Sequence, residues 1–281
     1  MDKSNKGLRQ LLGWPALILV LVAAGGVWYL LDPGFRSAGE ATSLSATATA
    51  AEADDDFGRR VREYLLANPE VIVEAMQTLE IRRQRAENTE AQAALAARTD
   101  DVFRDPGSPV GGNADGDVTM VEFFDYNCPY CRQVAPVMAE AVAADPGLRI
   151  VYKEFPILGP GSIFAAKAAL AAERQGKYGE FHEALMNAES RVEETTVLAI
   201  AEEIGLDVER LKEDIEDPAI QAEIDANLEL AQALRINGTP GFVIGDEILR
   251  GATDLATMQE LIAKARSDGG ASGETSTGTA N

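Results

Sequence analysis

Val118-Thr-Met-Val-Glu-Phe-Phe-Asp-Tyr-Asn-Cys128-Pro-Tyr-Cys131 is the stretch around which the rest of the chain is organised. Its first seven residues form an apolar run of strand length. Asp125-Tyr126-Asn127 can cap a helix, and the only two cysteines of the protein then fall on that helix's first turn. Unpaired amides and the helix dipole stabilise negative charge at a helix N-terminus, and the thiolate is the reactive form of cysteine. The spacing therefore predicts an accessible nucleophile at Cys128. Cys131 lies one turn deeper, where it can close a disulfide with Cys128.

Composition narrows the surroundings of this motif. The chain has 281 residues, enough for one or two domains with a sizeable core. A net charge of −21 argues against a nucleic-acid partner, which requires a basic footprint. Both cysteines belong to one C-x-x-C, which leaves none for a structural disulfide framework.

Ahead of the motif, Lys3, Lys6 and Arg9 precede an uncharged run from Leu11 to Leu31, with Trp14 near one end and Trp28-Tyr29 near the other. That length spans a hydrocarbon core, and the positive flank keeps the N-terminus cytoplasmic. Residues 1–31 are read as a cytoplasmic tip and transmembrane anchor. The alternative is a signal peptide whose cleavage leaves a soluble periplasmic protein. Either reading puts the body where disulfides form. Residues 32–56 read as a flexible linker. Residues 57–98 read as a helical extension, in which Asn68 caps a helix restarted at Pro69. Phe57, Val61, Tyr64 and Leu65 mark one apolar face, and Ile72, Ala75, Met76 and Leu79 another. Packing on the body and self-association both account for these stripes.

Further on, Asp101–Arg104 reads as a short edge strand, Val118–Phe124 as a buried strand and Pro129–Ala144 as a helix kinked at Pro136. Leu148–Phe155 is the next strand, completing a βαβ unit with a parallel pair. The pattern from Ser162 to Ile236 is helical. Two short apolar runs then flank Gly245-Asp246 as a hairpin. Thr253 reads as the cap of a last amphipathic helix, and Ser267–Asn281 as a disordered tail.

This order, together with Glu122-Phe-Phe-Asp-Tyr-Asn-Cys-Pro-Tyr-Cys131 and Asn237-Gly-Thr-Pro-Gly-Phe-Val-Ile244, resembles the DsbA family, and within it the Com1-like and ScsC-like bacterial members. The resemblance covers roughly 57–266. It implies an α/β thioredoxin fold (99–161 and 237–266) with an inserted helical domain (162–236). It also implies a protein thiol–disulfide oxidoreductase whose redox-active pair is Cys128–Cys131. Pro129 and Tyr130 then form the active-site dipeptide that tunes the couple. DsbA carries a histidine at the position of Tyr130, so the resemblance implies a less oxidising couple here. Glu122 corresponds to a buried acid that passes a proton to or from Cys131. It has Lys153 or Glu154 as possible neighbours, and the competing reading is an acid facing solvent. Pro240 matches the family's cis-proline, with Thr239 before it pairing with an extended substrate strand. A threonine there, with Cys-Pro-Tyr-Cys, also resembles DsbG on the isomerase side.

His182, the only histidine, reads as a surface or satisfied helix residue rather than a base. It is too few for a structural zinc site. No nucleotide or flavin motif is present, so neither cofactor nor metal is implied. The expected partners are unfolded or cysteine-containing secreted proteins and a membrane redox partner. Two directions stay open, a monomeric oxidase and an oligomeric isomerase or reductase that uses the 57–97 helices. From another class comes a Cu(I)-binding periplasmic protein using both thiolates.

Overall fold

The computed structural model describes residues 55–274, with side chains to 269. The anchor or signal at Leu11–Leu31, the linker before residue 55 and the last seven residues lie outside them. Among the described residues, no helix is long and apolar enough to cross a membrane. The chain divides into two units, up to Gln77 and from Thr78 onward.

The first unit holds α1 (55–67) and the start of α2 (Glu70–Ala97). The Asn68 side chain donates to the Tyr64 carbonyl at 2.9 Å, so it closes α1 rather than capping α2 as the Asn-Pro pair suggests. Phe57, Val61, Tyr64, Ile72 and Met76 are all exposed.

The second unit is built on a five-stranded sheet in the order β1-β3-β2-β4-β5. The strands are β1 (Val110–Gly112), β2 (Val118–Phe124), β3 (Leu148–Glu154), β4 (Gly241–Ile244) and β5 (Glu247–Arg250). Only β2 and β3 pair in parallel, with α4 (Pro129–Ala144) crossing between them, and the other pairs are antiparallel. β2 is buried along nearly its whole length because both sheet faces are covered, which is why it reads as a continuous apolar run. On one face Met120 packs with Val134 and Met138 of α4 and with Met258 and Ile262 of α10 (Leu255–Glu274). On the other, Val121 and Phe123 pack with Leu95 of α2, Val102 of α3 (Thr99–Phe103) and Leu230 of α9 (Pro218–Ala233). Between β3 and β4 run α5 (Pro160–Glu173), α6 (Tyr178–Met186), α7 (Glu194–Glu203), α8 (Val208–Ile215) and α9. α5 is alanine-rich and buried on most sides, forming the axis of this helical block.

Several local readings are corrected. Asp101–Arg104 is not a strand: residues 99–103 form α3, whose Val102 sits in the core, and the edge strand is β1 instead. The hairpin, by contrast, turns at Gly245-Asp246 as the sequence predicts, with Gly245 at φ 60° and its Cα facing Ala265, so a side chain there would meet both strain and crowding. Asp254, not Thr253, caps α10, accepting from the Thr257 amide at 2.8 Å. α10 continues to Glu274 through the segment read as a disordered tail. Ser267 Oγ donates to the Lys264 carbonyl and Lys264 pairs with Asp268 one turn on, which sustains the helix past its apolar face.

Candidate active site

β2 ends at Phe124, and the next residues form a knot. Asp125 is buried and accepts four hydrogen bonds. Oδ1 takes the Asn127 amide and the Ser162 hydroxyl, both at 2.7 Å, and Oδ2 takes the Ile157 and Leu158 amides at 2.8 and 2.9 Å. Asn127 pairs with the backbone of Val192 in both directions. Neither residue caps α4, as the local pattern suggests. Apart from the Asn127 amide, their side-chain partners lie 32 to 65 residues away, on the β3–α5 connection, the first turn of α5 and the loop before α7. Arg132 completes the turn, donating to the carbonyls of Tyr126 and Ala188 at 2.8 Å.

Cys128 is itself the N-cap of α4, with Pro129 at the first helical position and Pro136 accommodated inside. Both cysteines are thiols here. Cys128 is only 4% exposed, less open than its helix-terminal place suggests, because the loop before β4 lies against it. Its Sγ donates to the Thr239 carbonyl at 3.3 Å, and the Thr239–Pro240 bond is cis. Tyr130, by contrast, is 60% exposed. Cys131 is fully buried. Burial, and then the nearby Glu122 carboxylate, push its thiol far above the usual range.

Glu122 is 2% exposed and points to the α4 side of the sheet, opposite Tyr152 in the β2–β3 register. Burial alone raises its carboxyl to about 8. Of the two sequence-suggested neighbours, Glu154 shares its sheet face and is coupled to it through charge repulsion, whereas Lys153 does neither. Lys153 alternates to the other face and binds Asp105 at 2.5 Å. Glu154 accepts the hydroxyls of Tyr126 and Tyr178 at 2.9 and 3.0 Å. Glu122 instead lines a cleft of about 610 Å³ between α4 and α6, whose walls include Ala135, Ala139, Tyr152 and His182.

His182 is half-buried on α6, the satisfied helix residue of the two alternatives, and packs among Phe124, Tyr126, Tyr152 and Tyr178, with centroids 4.6 to 5.6 Å away. Burial holds its ring neutral, down to about 3. Tyr126 Oη also lies 3.2 Å from His182 Nδ1, within hydrogen-bond distance. Among the described residues there is no cluster of three or more His, Cys, Asp or Glu side chains arranged to hold a metal.

The geometry, a helix-capping thiol facing a cis-proline loop with its partner thiol beneath, has a counterpart in sequence space: the profile described as DSBA-like thioredoxin domain matches residues 119–263. The chain belongs to this DsbA-like family of thiol–disulfide oxidoreductases. A second profile, copper resistance protein ScsC N-terminal domain, matches residues 55–86. A thioredoxin-like oxidoreductase from Silicibacter pomeroyi is 52% identical, covering 60% of this chain and 97% of that one, with a TM-score of 0.59. The catalytic domain of Proteus mirabilis ScsC is 28% identical over 63% of this chain and 98% of its own, with a TM-score of 0.58. The Na(+)/H(+) antiporter NhaA 3 of Salinispora tropica is 28% identical over 158 residues, 56% of this chain. The chain spans about a quarter of the length of that relative and of the other antiporters it matches. In this DsbA-like chain the sequence marked the cysteines, Glu122 and the Thr239–Pro240 loop. It gave no sign of Asp125, Asn127 and Arg132 as the clamp beneath them.

Proposed function

We propose that this chain exchanges disulfides with cysteine-containing secreted proteins through Cys128 and Cys131, in the periplasm, either tethered by Leu11–Leu31 or released after its cleavage. The observation that carries the reading is the stacking of Thr239, Cys128, Cys131 and Glu122 from surface to core. In the oxidising direction a substrate thiolate attacks Cys128 Sγ of the disulfide, and Cys131 leaves as a thiolate. Its environment strongly favours the thiol, and Glu122, protonated at neutral pH, is the acid at hand. A second substrate thiolate then attacks the substrate sulfur bonded to Cys128, releasing the substrate disulfide and Cys128 thiolate. In the reverse direction Glu122 in its ionised form takes the Cys131 proton, so attack by Cys131 on the mixed disulfide quickens as pH rises towards 8. Glu122 lines the cleft between α4 and α6, which offers its proton a route to solvent.

Thr239 offers its backbone to an extended substrate, and Tyr130 brings no cationic charge to the Cys128 sulfur, which supports a couple less oxidising than that of DsbA. Oxidase and isomerase directions are separated by ribonuclease. The reduced fragment from Ala51 onward restores scrambled ribonuclease if it is an isomerase, and the disulfide form rapidly oxidises reduced ribonuclease if it is an oxidase. Cys131→Ser is expected to trap a mixed disulfide with scrambled ribonuclease, one of whose disulfides the Cys128 thiolate attacks, expelling the other sulfur as a thiolate. Absence of that adduct, with inactivity in both directions, would sink the reading. Stoichiometric Cu(I) binding by the two thiols would then move forward, a second reading suggested by the copper-resistance description of the profile at residues 55–86.

A further inference from the structure

Outside the cysteine site, polar contacts converge on the two ends of the cis-proline loop. α9 ends at Ala233, and the carbonyls past a helix end need donors from elsewhere. Arg250, on β5, supplies them. Its Nε donates to the Arg235 carbonyl at 2.7 Å and its Nη2 to the Leu234 carbonyl at 3.0 Å. The adjoining backbone holds the other end of the loop: the Gly251 amide donates to the Pro240 carbonyl at 2.8 Å, and Arg250 is the register partner of Gly241. Residues 236–239 therefore hang between two points fixed by one dipeptide.

The hanging segment is itself constrained. Arg235 has φ 56°, the only positive value outside glycine among the described residues, and closes α9 in a left-handed cap in which the Ile236 amide donates back to the Ala231 carbonyl at 2.8 Å. Ile236 lies directly on Gly241, where a Cβ would come within 2.6 Å of Ile236 Cγ2. The outer side of the assembly is held by the C-terminal half of α2. Arg235 Nη2 donates to Glu90 Oε2 at 2.5 Å, Arg250 Nη1 to Asn88 Oδ1 at 3.5 Å, and Gln92 Nε2 to the Asp246 carbonyl at 2.9 Å.

We infer that Arg250 is a positioning residue for the protein substrate: it sets the spacing between the end of α9 and β5, and so holds the Thr239–Pro240 loop at its working distance from Cys128, with α2 bracing it from outside. This rests on the reading that the loop takes an extended substrate strand. A small thiol needs only the Cys128 sulfur, whereas a peptide also needs the backbone of Thr239. Arg250 therefore acts on one class of reactant and not on the other.

The test uses the full chain in its disulfide form, reacted with a two-cysteine extended peptide and, separately, with glutathione. Arg250→Ala is expected to raise KM for the peptide about tenfold with kcat within about twofold, while the glutathione rate stays at the wild-type value. Arg250→Lys recovers part of the peptide KM, because one ammonium reaches one carbonyl at a time. Glu90→Ala has a smaller effect, about twofold, since its ion pair with Arg235 is exposed. Equal losses towards peptide and glutathione would mean general damage and overturn the inference, as would an unchanged peptide KM in Arg250→Ala. Wild-type protein that reacts no better with the peptide than with glutathione identifies a different failure, that of the substrate-loop reading, and the role of Arg250 falls with it.

Discussion

A carboxyl group with no cation beside it, in the middle of a sheet, is costly to ionise, and Glu122 carries that cost in this fold. Unfolded, it ionises near the usual 4.5; folded, burial holds its proton up to about 8. Between those values the folded chain binds one proton more than the unfolded chain. Its stability therefore falls as pH rises through that window and levels off above it. A shift of this size corresponds to about 3–5 kcal/mol. Glu122→Gln, uncharged in both states, is expected to match the wild type near pH 4 and exceed it by that order near pH 8.5, while slowing the step that needs the acid. Urea unfolding across that range is the measurement, and parallel curves for the two proteins would rule the account out. Burial of Glu122 was legible from its apolar strand neighbours, because a seven-residue run without alternation is covered on both faces. Its surroundings were not. The sequence offers Lys153 and Glu154 as neighbours; strand alternation sends Lys153 to the opposite face, while Glu154 is coupled to Glu122 but hydrogen-bonds two tyrosines the sequence did not name. The aromatic partners of His182 were hidden for the same reason, since they come from β2, the turn after it, β3 and α6.

At the scale of elements, the active-site turn is held less by the helix it begins than by one side chain beneath it. Asp125→Ala would leave the Ile157 and Leu158 amides, the Ser162 hydroxyl and the Asn127 amide without their common acceptor. Lost bonds to a charged group, with donors left buried, are worth about 3–5 kcal/mol together. Asp125→Asn keeps one acceptor oxygen and is expected to lose roughly half as much. Chemical denaturation reads the cost, and the alkylation rate of Cys128 by iodoacetamide reads the disordering of the turn. If Asp125→Ala were as stable as the wild type, the four bonds would not be holding this turn. Elements with a clear apolar run, a helical period or a turn signal, namely β2, α4, β3 and the β4–β5 hairpin, were legible from sequence. β1 was not, because two of its three residues are glycine and its strand character comes from pairing with β3. α3 passed for a strand because five residues carry too little periodicity to choose, and what decides is Val102 packing beneath the sheet. Asp125 was read as a cap because capping residues and tertiary acceptors are the same residue types. Only the fold reveals which donors they meet.

At the scale of the molecule, the 55–77 unit asks to be covered. Phe57, Val61 and Tyr64 on α1, and Ile72 and Met76 on α2, recur at helical spacing and stand exposed. A stripe of this kind on a helix with no core of its own marks an association surface. Burying about 100 Å² of apolar surface per large side chain at 25 cal/mol/Å² gives about 2.5 kcal/mol for each, before the entropy of association is subtracted. The fragment from Ala51 is therefore expected to sediment as an oligomer at micromolar concentration, and a fragment beginning at Thr78 as a monomer. Replacing Phe57, Tyr64 and Met76 together by glutamate is expected to do the same while leaving the catalytic unit intact, because none of the three contributes to its core. The functional consequence follows from geometry. An isomerase must hold a misfolded substrate while it attacks more than one disulfide, which several sites on one oligomer allow, whereas oxidation of a single thiol pair needs one site. Loss of scrambled-ribonuclease reactivation in both variants, with dithiol oxidation retained, assigns the arm to isomerisation. If the Ala51 fragment sediments as a monomer, the stripe serves some other contact and the monomeric oxidase direction stands.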